Sequence, residues 1–239
     1  MRLHREVLAV LTGEIVAGRP PAGALLPRET DLAERFDVSR GVARECIRAL
    51  EERGLVKVRH GRGATVASRD GWDVFNADVL LAVLRGPLAV ELLGEYLECR
   101  RLLDVAAAGF AATRATEPQR SALKVALDRM EEATARPRAG NAEEEFHRAD
   151  VSFHETLADA TGNRALGSLS RRIHDALVIA RYPLARPQYR ARRAMPEHRR
   201  IFEAVTAGDG AGAQRAMEEH LRTVEEYLHQ HARRIAAAA

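Results

Sequence analysis

Two groups of residues in this chain have the types and spacing to do chemistry. Asp150 and His154 are four apart, so on a helix they face the same way, and His198 and His220 follow on two later helical stretches. One carboxylate oxygen and three imidazole nitrogens suit a borderline divalent cation such as zinc or nickel, with room left for water or a ligand oxygen. Spacing does not establish that the four converge. The chain has nine histidines, and an Asp-x-x-x-His pair on a helix also fits a surface pair or a buried histidine with satisfied bonds.

The second group is Arg40, Arg44 and Arg48, an i, i+4, i+8 row beside an apolar stripe of Ala43, Cys46, Ile47 and Leu50. An apolar back and an arginine edge suit a helix lying in a DNA major groove, where arginine bonds guanine bidentately. Ser39 precedes this helix, and beside its free N–H groups it is placed for a phosphate. The same row also fits an exposed helix whose arginines pair with Glu45, Glu51 and Glu52. The following segment, His60-Gly61-Arg62-Gly63, sets basic side chains on either side of a residue without a Cβ. That permits close approach to a sugar-phosphate surface or a minor groove.

The elements that must hold these residues are legible in the periodicity. Leu3, Val7, Leu8, Leu11 and Ile15 predict a helix over 4–17, and Thr30, Leu32, Ala33 and Phe36 a short second one. Asp37-Val38 breaks the second helix, Ser39 caps a third, and Gly54 ends it. Leu55-Val56-Lys57-Val58 and Ala64-Thr65-Val66 predict a hairpin, completing a winged helix-turn-helix. Beyond Ala67 the chain turns to Ala, Leu, Glu and Arg with 3.6-residue periodicity. This predicts helices over 76–85, 88–115, 117–135, 141–161, 163–182, 190–207 and 210–234. The expected fold is mainly α: a winged domain over 1–67 with one small β-hairpin, a linker over 68–75, and an all-α antiparallel helical bundle over 76–235.

Composition narrows the class. With 239 residues, 46% of them hydrophobic, the chain can bury a real core. No apolar run approaches the roughly 20 residues that span a bilayer, so no membrane partner is expected. The N-terminus has no apolar stretch suited to a secretory signal, and cysteines occur only at positions 46 and 99, so a reducing cytoplasm is the expected compartment. Residues 1–66 carry 12 Lys and Arg against 9 Asp and Glu, while 67–239 carry 25 of each. The whole net charge of +3 therefore lies in the first quarter, the place for a polyanion-binding module.

Leu26-Pro27-Arg28-Glu29, Leu32 to Arg40, Arg44-Glu45, Ile47 to Glu51, Gly54-Leu55-Val56 and Gly61-Arg62-Gly63 together resemble the GntR family of bacterial transcription regulators over residues 4–66. The resemblance implies that Arg40 and Arg44 read bases and that His60 and Gly61, with Arg62 beside them, form the wing tip in the minor groove. Where many relatives have Ser or Ala followed by Glu-Arg, this chain has Arg28-Glu29-Thr30, and Arg28 is expected to replace the displaced arginine as a phosphate contact. Asp37 stands where glycine is common, which requires it to adopt φ > 0.

Phe153 to Asn163, Glu197 to Val205, Ala207-Gly208-Asp209 and Met217 to Leu221 resemble the FCD effector domain of the FadR subfamily. In its metal-binding members the positions matching Asp150, His154, His198 and His220 are the ligands. The other histidines, including His174, read as surface or core residues, with His147 one turn before Asp150 as a supporting candidate. Arg100 matches a family arginine facing the ligand cavity, where a guanidinium holds a carboxylate; the plain alternative is a helix-surface pair with Asp104. Trp72 to Leu80 is similar to the corresponding segment of relatives that respond to sugar acids such as galactonate or gluconate.

The expected function is a homodimeric repressor that reads an inverted-repeat operator and is controlled by a small carboxylate at a metal-containing site. The alternative is a metal-dependent hydrolase or lyase with a nucleic-acid tether. That reading lacks a positioned base, since Glu155 points roughly 100° away from His154 around the helix. No nucleophile elbow, phosphate loop or His-Glu-x-x-His motif is present, so no enzyme is expected. A sequence-indifferent nucleoid protein would need a larger positive charge.

Overall fold

Helix α1 (Arg2–Val16) carries Val7, Leu8, Leu11 and Ile15 at intervals of one, three and four, and all four are buried. It packs on α3 (Arg40–Glu52), whose Ala43, Cys46 and Leu50 are fully buried, while Ile47 lies half-buried at the edge of the stripe. Between them α2 (Glu29–Phe36) packs on α3 through Leu32 and Ala33. It stops at Asp37, which adopts the expected left-handed conformation at φ 51° and returns its N–H to the Ala33 and Glu34 carbonyls. Ser39 Oγ then accepts from the Val42 N–H at 3.3 Å and starts α3.

Strands β1 (Val56–Arg59) and β2 (Gly63–Val66) pair antiparallel, from Val56 opposite Val66 to Arg59 opposite Gly63. Glu51 on α3 accepts from the Val58 N–H at 2.9 Å, tying the hairpin to the helix before it. Gly54 joins the two at φ +70°, and a Cβ there would lie 1.8 Å from the Gly71 carbonyl oxygen. Residues 68–75, predicted as a linker, fold back through a short 3-10 turn (Arg69–Gly71) onto the end of α3. The Asp73 N–H donates to the Arg53 carbonyl at 2.9 Å, and Arg53 Nε donates to Asn76 Oδ1 at 3.3 Å.

Helix α4 (Ala77–Leu84) buries Val79, Leu80, Val83 and Leu84 and packs on α1. The computed structural model describes residues 2–136, 141–184 and 191–238, and its contacts divide into two units, Met1–Leu92 and Leu93–Ala239. The sequence reading started the helical domain at 76. By its contacts α4 falls in the first unit instead, because its apolar face is covered by α1.

The second unit takes in nearly all of α5 (Ala89–Arg114), then α6 (Glu117–Ala135), α7 (Ala142–Ala160), α8 (Arg164–Leu184), α9 (Ala191–Thr206) and α10 (Gly210–Ala238). These boundaries fall within two residues of those predicted, except that α10 runs to Ala238 where 234 was expected; residue 190, where one helix was expected to begin, lies outside the described residues. Helix α7 packs on α6 and α8, α9 packs on α6 and α10, and α8 on α10. Their shared core includes Leu123, Met130, Phe153, Leu157, Ile201, Val205, Met217 and Leu221, each at most 2% exposed. Each unit holds one thiol: Cys46 is buried with its Sγ 3.7 Å from the His4 carbonyl, and Cys99 is exposed on α5. Burial pushes the Cys46 thiol up. Among the described residues no helix is long and apolar enough to cross a membrane.

Candidate functional site

The first unit presents its basic residues on one helix edge and one hairpin tip. Arg40, Arg44 and Arg48 are exposed on α3, opposite its buried stripe. Arg48 pairs with Glu45 at 3.4 Å, as the plain alternative expected of that row, but Arg44 pairs across to α2, its Nε 3.2 Å from each oxygen of Glu29. Both terminal nitrogens of Arg44 lie outside that contact. Arg28, exposed at the start of α2, donates its backbone N–H to Asp31 at 3.1 Å. His60, Gly61 and Arg62 are exposed at the hairpin tip, where the Arg62 N–H closes a turn onto the Arg59 carbonyl at 2.9 Å and Gly61 takes φ 74°. A cleft of roughly 600 Å³ opens beside the start of α3, lined by His4, Arg5, Ser39, Gly41 and Val42 among others. His4, read from the sequence as a surface or core residue, and Arg5 therefore add basic groups beside Ser39.

In the second unit the four predicted ligands meet. Asp150 and His154 from α7, His198 from α9 and His220 from α10 each offer an atom within 4.8 Å of the others, and all four are buried. The polar contacts around them favour one nitrogen of each histidine as the one presented. His198 Nδ1 lies 2.9 Å from the Ala194 carbonyl, His220 Nδ1 lies 2.8 Å from Glu197 Oε2, and His154 Nδ1 lies 3.3 Å from Asp104 Oδ2. A carbonyl or carboxylate only accepts, so Nδ1 of His198 and of His220 carries a proton and leaves the lone pair on Nε2; His154 Nδ1, which makes no aligned hydrogen bond, faces a carboxylate that favours the same tautomer.

The Nε2 atoms of His154 and His198 are buried without a hydrogen-bond partner, although His198 Nε2 stands 3.0 Å from Asp150 Oδ1. A lone pair held that close to a carboxylate oxygen calls for a positive charge in the cluster. Phe153 walls the site, edge-on to His154 and His198 at ring separations of 5.9 and 5.2 Å. Burial and the charge of Arg100 lower the His154 pKa to about 4 against the opposing pull of Asp104 and Asp150, so the ring is neutral at pH 7, as a metal ligand must be. Three imidazoles and one carboxylate fit a divalent cation in donor type.

Beside this set lies a second group, Asp104, His154 and His174. Asp104 Oδ2 is 3.0 Å from Arg100 Nε and 3.1 Å from His174 Nε2. Burial alone would push the Asp104 carboxyl up, but His174, His154 and Arg100 outweigh it and hold it well below the usual carboxylate range.

The winged unit and the helical unit each match a known family model. Residues 3–66 match the bacterial regulatory proteins of the gntR family, and residues 95–223 match the FCD domain. The chain belongs to the GntR family, with a C-terminal FCD domain. This GntR chain is 32% identical to the galactonate operon transcriptional repressor of Escherichia coli, over 88% of its own length and 90% of the relative's. It is 33% identical to the HTH-type transcriptional regulator LutR of Bacillus subtilis, over 82% and 88%. A solved Streptococcus agalactiae GntR superposes with a TM-score of 0.51 at 27% identity, covering 93% of this chain and 99% of that one. These relatives are regulators and not enzymes, so the protein is a DNA-binding transcription regulator.

Two residues of the GntR chain's buried cluster, Asp104 and His174, were given no part in the site by the sequence. Arg100 does pair with Asp104, but inside the unit and not on a helix surface: the side chains are 11% and 3% exposed. His174, read as an ordinary surface or core residue, is 5% exposed and bonded to the same carboxylate. A signal for Asp104 was present. Tyr96, Arg100, Asp104 and Ala108 form an i, i+4 row on α5 beside Leu93, Leu97, Ala107 and Ala111, which puts a carboxylate on the apolar face.

Proposed function

We propose that this GntR-family protein acts in the cytoplasm as a homodimeric repressor that binds an inverted-repeat operator and is controlled by a small carboxylate, a sugar acid, held at a metal-containing site in the FCD domain. The observation that carries the reading is the buried set of Asp150, His154, His198 and His220, with Nδ1 of His198 and of His220 bonded to an acceptor and Nδ1 of His154 facing the Asp104 carboxylate. That donor set favours zinc or nickel. When bound, such an ion supplies a Lewis-acid anchor for carboxylate and hydroxyl oxygens.

Arg100 holds the acid's carboxylate through its guanidinium. At the DNA, Arg40 and Arg44 read base edges in the major groove, Ser39 and Arg28 contact phosphates, and the wing residues His60, Gly61 and Arg62 enter the minor groove. The exposure of all seven residues supports this division. Binding of the acid shifts the population of dimers that fit the operator, and by linkage the operator shifts affinity for the acid by the same factor. The Escherichia coli relative is a repressor of the galactonate operon, which supports the sugar-acid class.

The test is binding to a labelled fragment from upstream of the protein's own gene, at fixed near-physiological salt, against excess random competitor, with and without D-galactonate and D-gluconate. Competitor-resistant binding that one acid changes, by protein holding one divalent ion per chain, is the expected result. Binding indifferent to every sugar acid, or protein without stoichiometric metal, overturns the effector reading.

A further inference from the structure

One carboxylate oxygen in the second unit faces nitrogens from three helices: Arg100 and His174 hydrogen-bond to it, and His154 Nδ1 stands beside it without an aligned hydrogen bond. Asp104 Oδ2 lies 3.0 Å from Arg100 Nε on its own helix α5, 3.3 Å from His154 Nδ1 on α7 and 3.1 Å from His174 Nε2 on α8. The carboxylate is 3% exposed, so no bulk water shares its lone pairs, and each donor that leaves shifts the load to the others. Asp104, His154 and His174 could themselves be taken for a cation site. The Arg100 guanidinium argues against that, because its positive charge already lies 3.0 Å from the oxygen the cation would need.

We propose that Asp104 is a positioning residue: it fixes His154 with the proton on Nδ1 and the lone pair on Nε2, and through the same oxygen it ties that ligand to Arg100. This rests on the reading of Asp150, His154, His198 and His220 as the metal ligands. The other two histidines are oriented by the Ala194 carbonyl and by Glu197, and neither of those contacts includes Arg100. His154 is thus the ligand whose orienting charge is shared with the arginine that would take the carboxylate. When an anion draws the guanidinium away, Asp104 bonds His154 more strongly and makes its Nε2 a better donor. Metal and acid then favour each other's binding through one oxygen, with His174 keeping the carboxylate in place as the third donor.

The test uses Co(II) as the probe on the full-length, metal-stripped protein, read by visible absorption and by competition with a chelator. Asp104→Asn is expected to weaken Co(II) binding about 10- to 100-fold and to shift the visible band. In a His154→Ala background the same change is expected to cost nothing further, since Asp104 acts through the missing ring. His174→Phe keeps an aromatic ring but removes that donor, leaving Asp104 more fully to His154, and it is expected to tighten Co(II) binding several-fold in the parent and not in the His154→Ala background. It decides the matter if Asp104→Asn does not fold. Parent protein that takes up no Co(II) overturns the ligand set itself. Parent protein that binds while Asp104→Asn matches it in affinity and band, or equal changes in both backgrounds, overturns the positioning role alone.

Discussion

Replacing Arg44 with alanine separates base reading from phosphate contact. In the structure the Arg44 side chain is 66% exposed and its partner Glu29 37% exposed, so losing their ion pair costs at most about 1 kcal/mol of stability. The DNA term is larger. Glu29 engages only Nε, which leaves the two terminal nitrogens as a fork for a guanine edge, and such a bidentate contact is worth about 1–3 kcal/mol. Arg44→Ala should therefore weaken binding to the cognate fragment about 5- to 150-fold while leaving random DNA nearly unaffected. The assay is fluorescence anisotropy on cognate and scrambled duplexes at several salt concentrations, with thermal unfolding as the control for folding. Equal losses on both duplexes, with the slope of log affinity against log salt reduced by about one, would refute base reading and make Arg44 a phosphate contact.

Three further outcomes are expected. His198→Ala should release the metal, measured as metal per chain after gel filtration, while acid-free protein keeps its operator affinity; one ion still bound per chain would remove His198 from the ligand set. Gly54→Ala must hold a Cβ at φ +70° and 1.8 Å from the Gly71 carbonyl, so it should destabilise the winged unit by more than about 2 kcal/mol in urea unfolding; a wild-type midpoint would contradict the packing. In chelator-treated protein, His154 takes a proton at about 4 when folded and near 6.5 when unfolded. Its contribution is present above 6.5 and is lost as pH falls from there towards 4, by up to about 1.4 kcal/mol per pH unit. Urea midpoints should fall over that window in the parent and fall less in His154→Leu; parallel curves would show that the ring is not buried neutral.

The winged unit was legible almost residue by residue because its signals are local. Ser39 as a cap, Asp37 at positive φ and Gly54 at the helix end each depend on their immediate neighbours, and the structure has all three as expected. The fate of 68–84 was not legible. An apolar helix after a polar segment reads the same whichever unit covers it, and it is α1, some sixty residues earlier, that packs on α4. In the helical unit the spacing of Asp150 and His154 was local, whereas bringing them to His198 and His220 depends on helices that meet only through tertiary packing. His174 was missed for that reason, since it becomes significant only by what lies opposite it, whereas Asp104 had a local signal in its place on the apolar face of α5.

The two thiols turn this arrangement into a pair of clocks. A maleimide dye should attach to exposed Cys99 at once, one residue from Arg100, and so report on the helix that carries both Arg100 and Asp104. Cys46, sealed between α1 and α3, can react only when those helices part, so its labelling rate measures how often the winged unit opens. Operator DNA that clamps α3 should slow the second reaction, and an acid bound in the other unit should alter the dye on the first. A single reagent can thus time the DNA-binding half of one chain and the half proposed to hold the acid separately.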